Sequence, residues 1–262
     1  FLLNTRAGLK LSRLHLPGIG GLALWLPFLI LAWKGYRVRW FRPLDLPSNW
    51  ISLHPGLRAQ VVTSIHRHCR TTIRNFSARL LRGQAVLKGL LWLPVDLITP
   101  PVAIAYLVYG RFMLAKTFFA SAECTACGKC VRECPVGAIR MLHGRPYWTF
   151  SCESCMHCMN HCPEQAVQTS HGFTFLLWWL VFSVIPATIL GLLLDRDGVW
   201  QHLPAASYEW LYIAIQILGG LAFVYPAYLL LHRALRYRWF NRLVTWTSLT
   251  SLPFWRRYRP EA

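Results

Sequence analysis

The chain has 262 residues, 55% of them hydrophobic and only 15% charged, which is too apolar for an ordinary soluble protein and points to membrane segments. The formal charge of +18 comes from 28 Lys+Arg against 10 Asp+Glu, an excess that fits either nucleic acid or the cytoplasmic flank of a membrane protein. Residues 1–119 carry 16 basic residues and two acidic ones, Asp45 and Asp96, residues 120–171 carry four of each sign, and residues 232–262 carry seven Arg and one Glu; the charge therefore flanks the apolar stretches, which argues against nucleic acid as the partner.

The chain opens on Phe1 without the basic start, apolar core and small-residue cleavage site of a signal peptide, so a processed chain or a piece of a longer one is expected. Residues 1–50 read as the later part of an α/β unit. Phe1-Leu2-Leu3 is read as a strand end, Asn4-Thr5-Arg6-Ala7-Gly8 as a loop, Gly20 to Trp33 as an apolar helix and Tyr36 to Phe41 as a strand, with Pro43, Pro47, Ser48 and Asn49 marking a loop. Residues 57–82 predict a long amphipathic helix: Val62, Ile65, Cys69, Ile73, Phe76 and Leu80 form one stripe, and Arg67, Arg70 and Arg74 lie opposite. That helix either packs on a sheet with a solvated basic face or rests its arginines on anionic lipid head groups. His66, His68 and Cys69 form a short H-x-H-C string, but on a helix they diverge, so a structural role is expected. Leu90 to Tyr109 is apolar yet holds Asp96 and Pro94, Pro100 and Pro101, which predicts a broken or interfacial segment in place of a straight span.

The chemistry is concentrated in residues 124–162, which hold eight of the nine cysteines. Cys124, Cys127, Cys130 and Cys134 precede Pro135, and Cys152, Cys155, Cys158 and Cys162 precede Pro163; both runs read C-x2-C-x2-C-x3-C-P, 28 residues apart. The echo continues from Pro135-Val136-Gly137-Ala138-Ile139 to Pro163-Glu164-Gln165-Ala166-Val167. Three cysteines two residues apart can wrap one iron–sulfur cube in a tight turn, while the fourth is carried off by the proline to the neighbouring cube. The expectation is two [4Fe-4S] clusters, one on Cys124, Cys127, Cys130 and Cys162 and the other on Cys152, Cys155, Cys158 and Cys134. Ala126 and Gly128 are expected to let backbone N–H groups approach the sulfurs. Zinc sites pair their ligands across a longer spacer, and a disulfide framework would not show this regular spacing. No Walker loop and no hydrolytic constellation is evident, so an electron carrier or oxidoreductase component is expected, with no catalytic residue of its own.

Two apolar runs follow, Gly172 to Leu194 and Trp210 to Leu231, each uncharged and long enough to cross a bilayer. Pro186 and Pro226 lie inside them, and Trp178, Trp179, Trp200, Trp210 and Tyr212 suit interfacial belts. The link Asp195 to Glu209 has one Arg and three acids, whereas Arg233, Arg236, Arg238 and Arg242 follow the second run. The positive-inside rule then puts both flanks, and the cysteine module, in the cytoplasm. His171 and His232 bracket the runs at that same surface, where a quinone or haem is conceivable and plain interfacial histidines are the simpler reading.

The chain resembles the bacterial flavodoxin–ferredoxin fusion proteins over residues 1 to about 170. The residues carrying the resemblance are Asn4 to Gly8, Pro47-Ser48-Asn49-Trp50-Ile51 with His54-Pro55-Gly56, the twin cysteine runs, and Arg145-Pro146-Tyr147-Trp148. The resemblance implies a partial flavodoxin-like region whose phosphate loop would precede Phe1, so that FMN is expected only with a missing N-terminal part, near Thr5 to Gly8.

The expected architecture is an α+β dicluster ferredoxin-like module with a partial α/β flavodoxin-like N-terminal region and a C-terminal two-helix transmembrane hairpin. Its parts are 1–84 (flavodoxin-like), 85–117 (apolar, proline-broken connector), 118–171 (ferredoxin), 172–231 (helix pair at 172–194 and 210–231) and 232–262 (basic tail). The expected function is single-electron transfer at the bacterial cytoplasmic membrane, with membrane lipid, a redox donor and acceptor, and a candidate quinone as partners. The second reading is an electron-wire subunit of a larger membrane oxidoreductase, and an iron–sulfur nucleic-acid-binding protein is third.

Overall fold

The computed structural model describes residues 1–11, 14–18, 20–184, 188 and 205–258. The chain divides into two compact units, Phe1–Leu107 and Val108–Ala262.

In the first unit, strands β1 (Leu2–Leu11), β2 (Leu14–Leu16) and β3 (Phe41–Pro47) form a sheet of order β2-β1-β3. β1 runs parallel to β3 and antiparallel to β2. A parallel pair requires a crossover, and helix α1 (Leu22–Trp33) supplies it. The stretch Asn4 to Gly8, expected as a loop, is the middle of β1. Its polar residues are tolerated because Arg6 stands opposite Asp45 in the parallel register, and Nε and Nη2 of Arg6 donate to the carboxylate at 2.7 and 3.2 Å. Gly8 is required there, since a Cβ would sit 2.7 Å from the Cβ of Asp45.

The strand expected at Tyr36 to Phe41 begins instead at Phe41 and runs through Pro43 and Pro47. β3 is the edge strand of this sheet, where a missing N–H costs little. Leu24, Trp25 and Phe41 form the core beside it, packed by Leu2, Phe28, Val38 and Leu93. Asp96 is buried and satisfied, accepting from the Gly21 N–H and from Trp25 Nε1 at 2.9 Å each. Both acids of the first 119 residues thus serve the fold.

Helix α2 (Ala59–Leu81) matches the predicted amphipathic helix, with Ile65, Cys69 and Phe76 buried and Arg67, Arg70 and Arg74 exposed, although Ile73 is exposed as well. His68 stacks on His15 at 4.5 Å, a packing role. The proline-rich stretch is broken as expected, into a 3-10 turn (Lys88–Trp92), α3 (Leu93–Asp96), α4 (Pro100–Ala105) and a π turn (Tyr106–Gly110).

The second unit holds helix α5 (Arg111–Ala115) and two small antiparallel sheets, β4 (Phe118–Ala120) with β7 (Val167–Thr169), and β5 (Ile139–Leu142) with β6 (Arg145–Trp148). Helices α6 (Lys129–Arg132) and α7 (His157–His161) lie between them in sequence. Helix α8 (His171–Trp179) continues into a π turn (Leu180–Val184), then come α9 (Ala205–Ala234) and α10 (Arg238–Trp246). The end of the run Gly172 to Leu194 and most of its link lie outside the described residues, as does Trp200.

Among the described residues, one helix is long and apolar enough to cross a membrane, over Tyr212–Ala234 within α9. Its last third is bound to protein: Val224, Ala227, Tyr228 and Leu231 are buried, the last two in a core with Phe119, Tyr147, Leu235 and Val244. The Tyr228 hydroxyl accepts from the Trp148 N–H at 3.3 Å and donates to the Phe118 carbonyl at 3.1 Å, tying α9 to both sheets.

The basic stretch after α9 is folded onto the same unit. Asn241 in α10 is fully buried and donates to the Ala120 carbonyl, and Ser248 donates to the carbonyl of Thr169 in β7. His171 Nδ1 accepts from the Leu249 N–H at 3.1 Å, and His232 Nε2 meets the Leu142 carbonyl at 3.3 Å, so each has a structural bond.

Candidate metal centre

The two cysteine runs form two loops of matching backbone. Left-handed residues occur at Ala126, Gly128 and Gly137, with φ of 56°, 70° and 59°. They recur 28 residues later at Ser154, Met156 and Gln165, with φ of 49°, 59° and 50°. An L residue with a side chain adopts positive φ only at a cost, so the same three turns in both loops mark a conformation the surrounding fold enforces. Gly128 and Met156 stand immediately before α6 and α7, where the turn reverses the chain into the helix that carries Cys130 or Cys158.

The turns sort the eight cysteines, none of them in a disulfide, into two groups. Cys124, Cys127, Cys130 and Cys162 line one cavity. Cys134, Cys152, Cys155 and Cys158 line a second. The fourth cysteine of each run therefore faces the cavity of the other run. Among the described residues, no three His, Cys, Asp or Glu side chains converge tightly enough for a single metal ion. A zinc ion with bonds of about 2.3 Å draws its thiolates close together, whereas a cubane holds them apart at its corners.

Sulfur-directed N–H groups repeat too. The Ala138 N–H donates to Cys134 Sγ at 3.3 Å and the Ala166 N–H to Cys162 Sγ at 3.3 Å, and the Ser154 N–H reaches Cys152 Sγ at 3.4 Å. These donors differ from the expected Ala126 and Gly128, whose contribution is their left-handed backbone. The tetrapeptide Arg145 to Trp148 serves both cavities. Arg145 Nη1 donates to the carbonyls of Ala120 and Ser121, Pro146 lines the first cavity, and Trp148 lines the second.

The two cavities differ in cover. Cys127 is exposed in the first. In the second, Cys152 is buried and Trp148 is fully enclosed. The Trp148 Nε1 and the Ser154 hydroxyl are buried there without a conventional hydrogen-bond partner, though both act on the adjacent thiols, Trp148 on Cys158 and Ser154 on Cys152. Burial pushes the Cys130 thiol up to about 11 and also raises Cys152 and, furthest, Cys158. In the protein alone these thiols hold their protons, and binding iron must displace them. Eight thiols outside any disulfide, N–H groups aimed at sulfur and the Trp148 and Ser154 donors beside the thiols of the second cavity fit iron–sulfur groups at these cavities.

Two cations from outside the repeat approach the thiols. Arg257 lies near Cys162 and Cys158, and donates to the Met159 carbonyl. Lys116, 2% exposed, interacts with Cys152 and donates to the Trp148 carbonyl. Sequence reading passed over both, because neither belongs to the cysteine pattern.

Residues 123–167 match the family model for the 4Fe-4S dicluster domain. No curated protein and no solved structure matches the chain. The chain thus contains a ferredoxin-type dicluster domain, which binds iron–sulfur clusters and is suited to electron transfer.

Proposed function

We propose that this protein is a membrane-anchored electron carrier holding two [4Fe-4S] clusters, one on Cys124, Cys127, Cys130 and Cys162 and the other on Cys152, Cys155, Cys158 and Cys134. The observation that carries this is the division of eight cysteines outside any disulfide, four and four, around two cavities with each fourth cysteine crossed over. Such a group supplies one-electron acceptance and release at low energetic cost. The chain's own residues do the rest. The thiolates fix each group, the N–H groups of Ala138, Ser154 and Ala166 stabilise sulfur charge, and the fully buried Trp148 forms part of the wall of the second cavity. Electrons would pass between a redox-protein donor and an acceptor, either a second redox protein or a quinone.

The anchor rests on α9. Its stretch Tyr212–Ala234 is long and apolar enough to cross a bilayer, and the end of that stretch packs on protein through Tyr228 and Leu231. Within this stretch Gln216 Nε2 donates to the Phe182 carbonyl at 3.1 Å and the Tyr212 hydroxyl donates to it at 3.4 Å. The arginines at 233, 236, 238 and 242 favour the cytoplasmic side for the module. The β1-α1-β3 crossover supports an α/β, flavodoxin-like reading of the first unit; nothing in the proposal requires a flavin.

Iron and sulfide analysis of anaerobically prepared protein, with low-temperature EPR after reduction, tests the clusters. About eight irons and a spin-coupled spectrum are expected, and zinc or no iron would end the proposal. Retention in the membrane fraction after alkaline carbonate extraction tests the anchor; release would end that part alone.

A further inference from the structure

Lys116 follows helix α5 and is almost wholly enclosed. Its ammonium donates to the Trp148 carbonyl and faces three aromatic rings, Phe150 at 4.2 Å, Tyr228 at 4.7 Å and Tyr147 at 4.9 Å from their centroids. Among the described residues no carboxylate forms an ion pair with it. A carbonyl dipole and ring faces compensate only part of the cost of burying a charge; buried charges are otherwise paired. The missing negative charge has one evident source. Trp148 and Cys152 both line the second cavity, and Cys152 is the acid whose charge Lys116 feels.

We propose that Lys116 is the buried counter-charge of the second cluster and holds that cluster's reduction potential above the first's. The inference rests on the cluster assignment above. One-electron reduction adds one negative charge to the group, taken from the donor protein, with no bond made or broken. A fixed cation in a poorly screened interior stabilises the reduced form more than the oxidised form. The first cavity has no such caged cation among the described residues: Lys129, which lines it, is partly exposed and 3.9 Å from Glu133, while Arg257 acts on one thiol of each set, more on Cys162 than on Cys158. An electron entering the module therefore settles on the second cluster, beside α9.

The test is an EPR-monitored redox titration of the full-length, cluster-loaded protein carrying Lys116→Met, which keeps the bulk and removes the charge. One cluster should become harder to reduce by about tenfold or more in its one-electron equilibrium, about 59 mV, while the other moves less. Two intact clusters with both potentials unmoved would overturn the proposal, as would an equal shift of both. If Lys116→Met loses iron, Lys116→Arg decides. A loaded Lys116→Arg protein with wild-type potentials shows that the cage needs a cation, and loss of the clusters there too refutes the counter-charge. Wild-type protein without iron would instead defeat the cluster assignment itself.

Discussion

The two cysteine loops share spacing, backbone turns and sulfur-directed N–H groups, yet they meet different surroundings. The first cavity is lined by exposed Cys127 and by the charged residues Lys129 and Glu164. The second is lined by buried Cys152 and fully enclosed Trp148, whose backbone bonds Tyr228 of α9 and Lys116. Local sequence repeated the loop, and long-range packing made the copies unequal. Because burial, hydrogen bonds and fixed charge all tune an iron–sulfur potential, two identical loops become an ordered pair of sites.

The strongest way to break this comparison is to remove a crossed ligand. Cys162→Ser is expected to cost the first site its cluster, about four of eight irons, and to spare the second; Cys134→Ser should do the reverse. Iron analysis and EPR of both variants decide it, and damage confined to the site of the mutated run would refute the crossing.

Trp148→Ala should be the next largest effect. It empties a fully buried site at the second cavity, with a loss of about 3–5 kcal/mol on general grounds and a faster oxidative loss of cluster on exposure to oxygen, read by the decay of the visible absorbance. Trp148→Phe sharpens the point: it keeps most of the bulk and deletes the N–H that acts on Cys158, so one potential should fall while iron content holds.

Tyr228→Phe leaves the Phe118 carbonyl and the Trp148 N–H without their partner and should cost about 1–3 kcal/mol, measured by denaturant unfolding in detergent. The smallest effect is expected for Arg111→Ala. Its ion pair with Glu153, 2.6 Å long, is substantially exposed, so stability should change by about 1 kcal/mol or less and both potentials should stay within error. A large shift there would mean that surface charge, not the buried cover, separates the two sites.

Reading by local pattern worked where the determinant was local. The amphipathic stripe of α2 and the proline-broken stretch before α5 were both legible, since periodicity and ring geometry act within a few residues. It failed at Asn4 to Gly8, where a polar string forms a strand because Asp45, 39 residues on, neutralises Arg6. It misplaced the next strand for a related reason: Pro43 and Pro47 read as loop residues, but the edge of a sheet accepts them. The second apolar run was long enough for a span, yet length alone could not reveal that its end would be taken up by the cluster module.

The sequence by itself determined the position of the cluster module and its repeat, because cysteines at spacings of three, three and four residues, twice over, form a local pattern. Only the tertiary structure decided what surrounds each cavity, where the Lys116 ammonium is buried and how much of α9 packs on protein. Lys116 meets Trp148 across 32 residues and Tyr228 meets Phe118 across 110, and contacts at such separations leave no periodic trace in the chain. They arise when apolar surface is buried and the polar groups trapped with it must find partners.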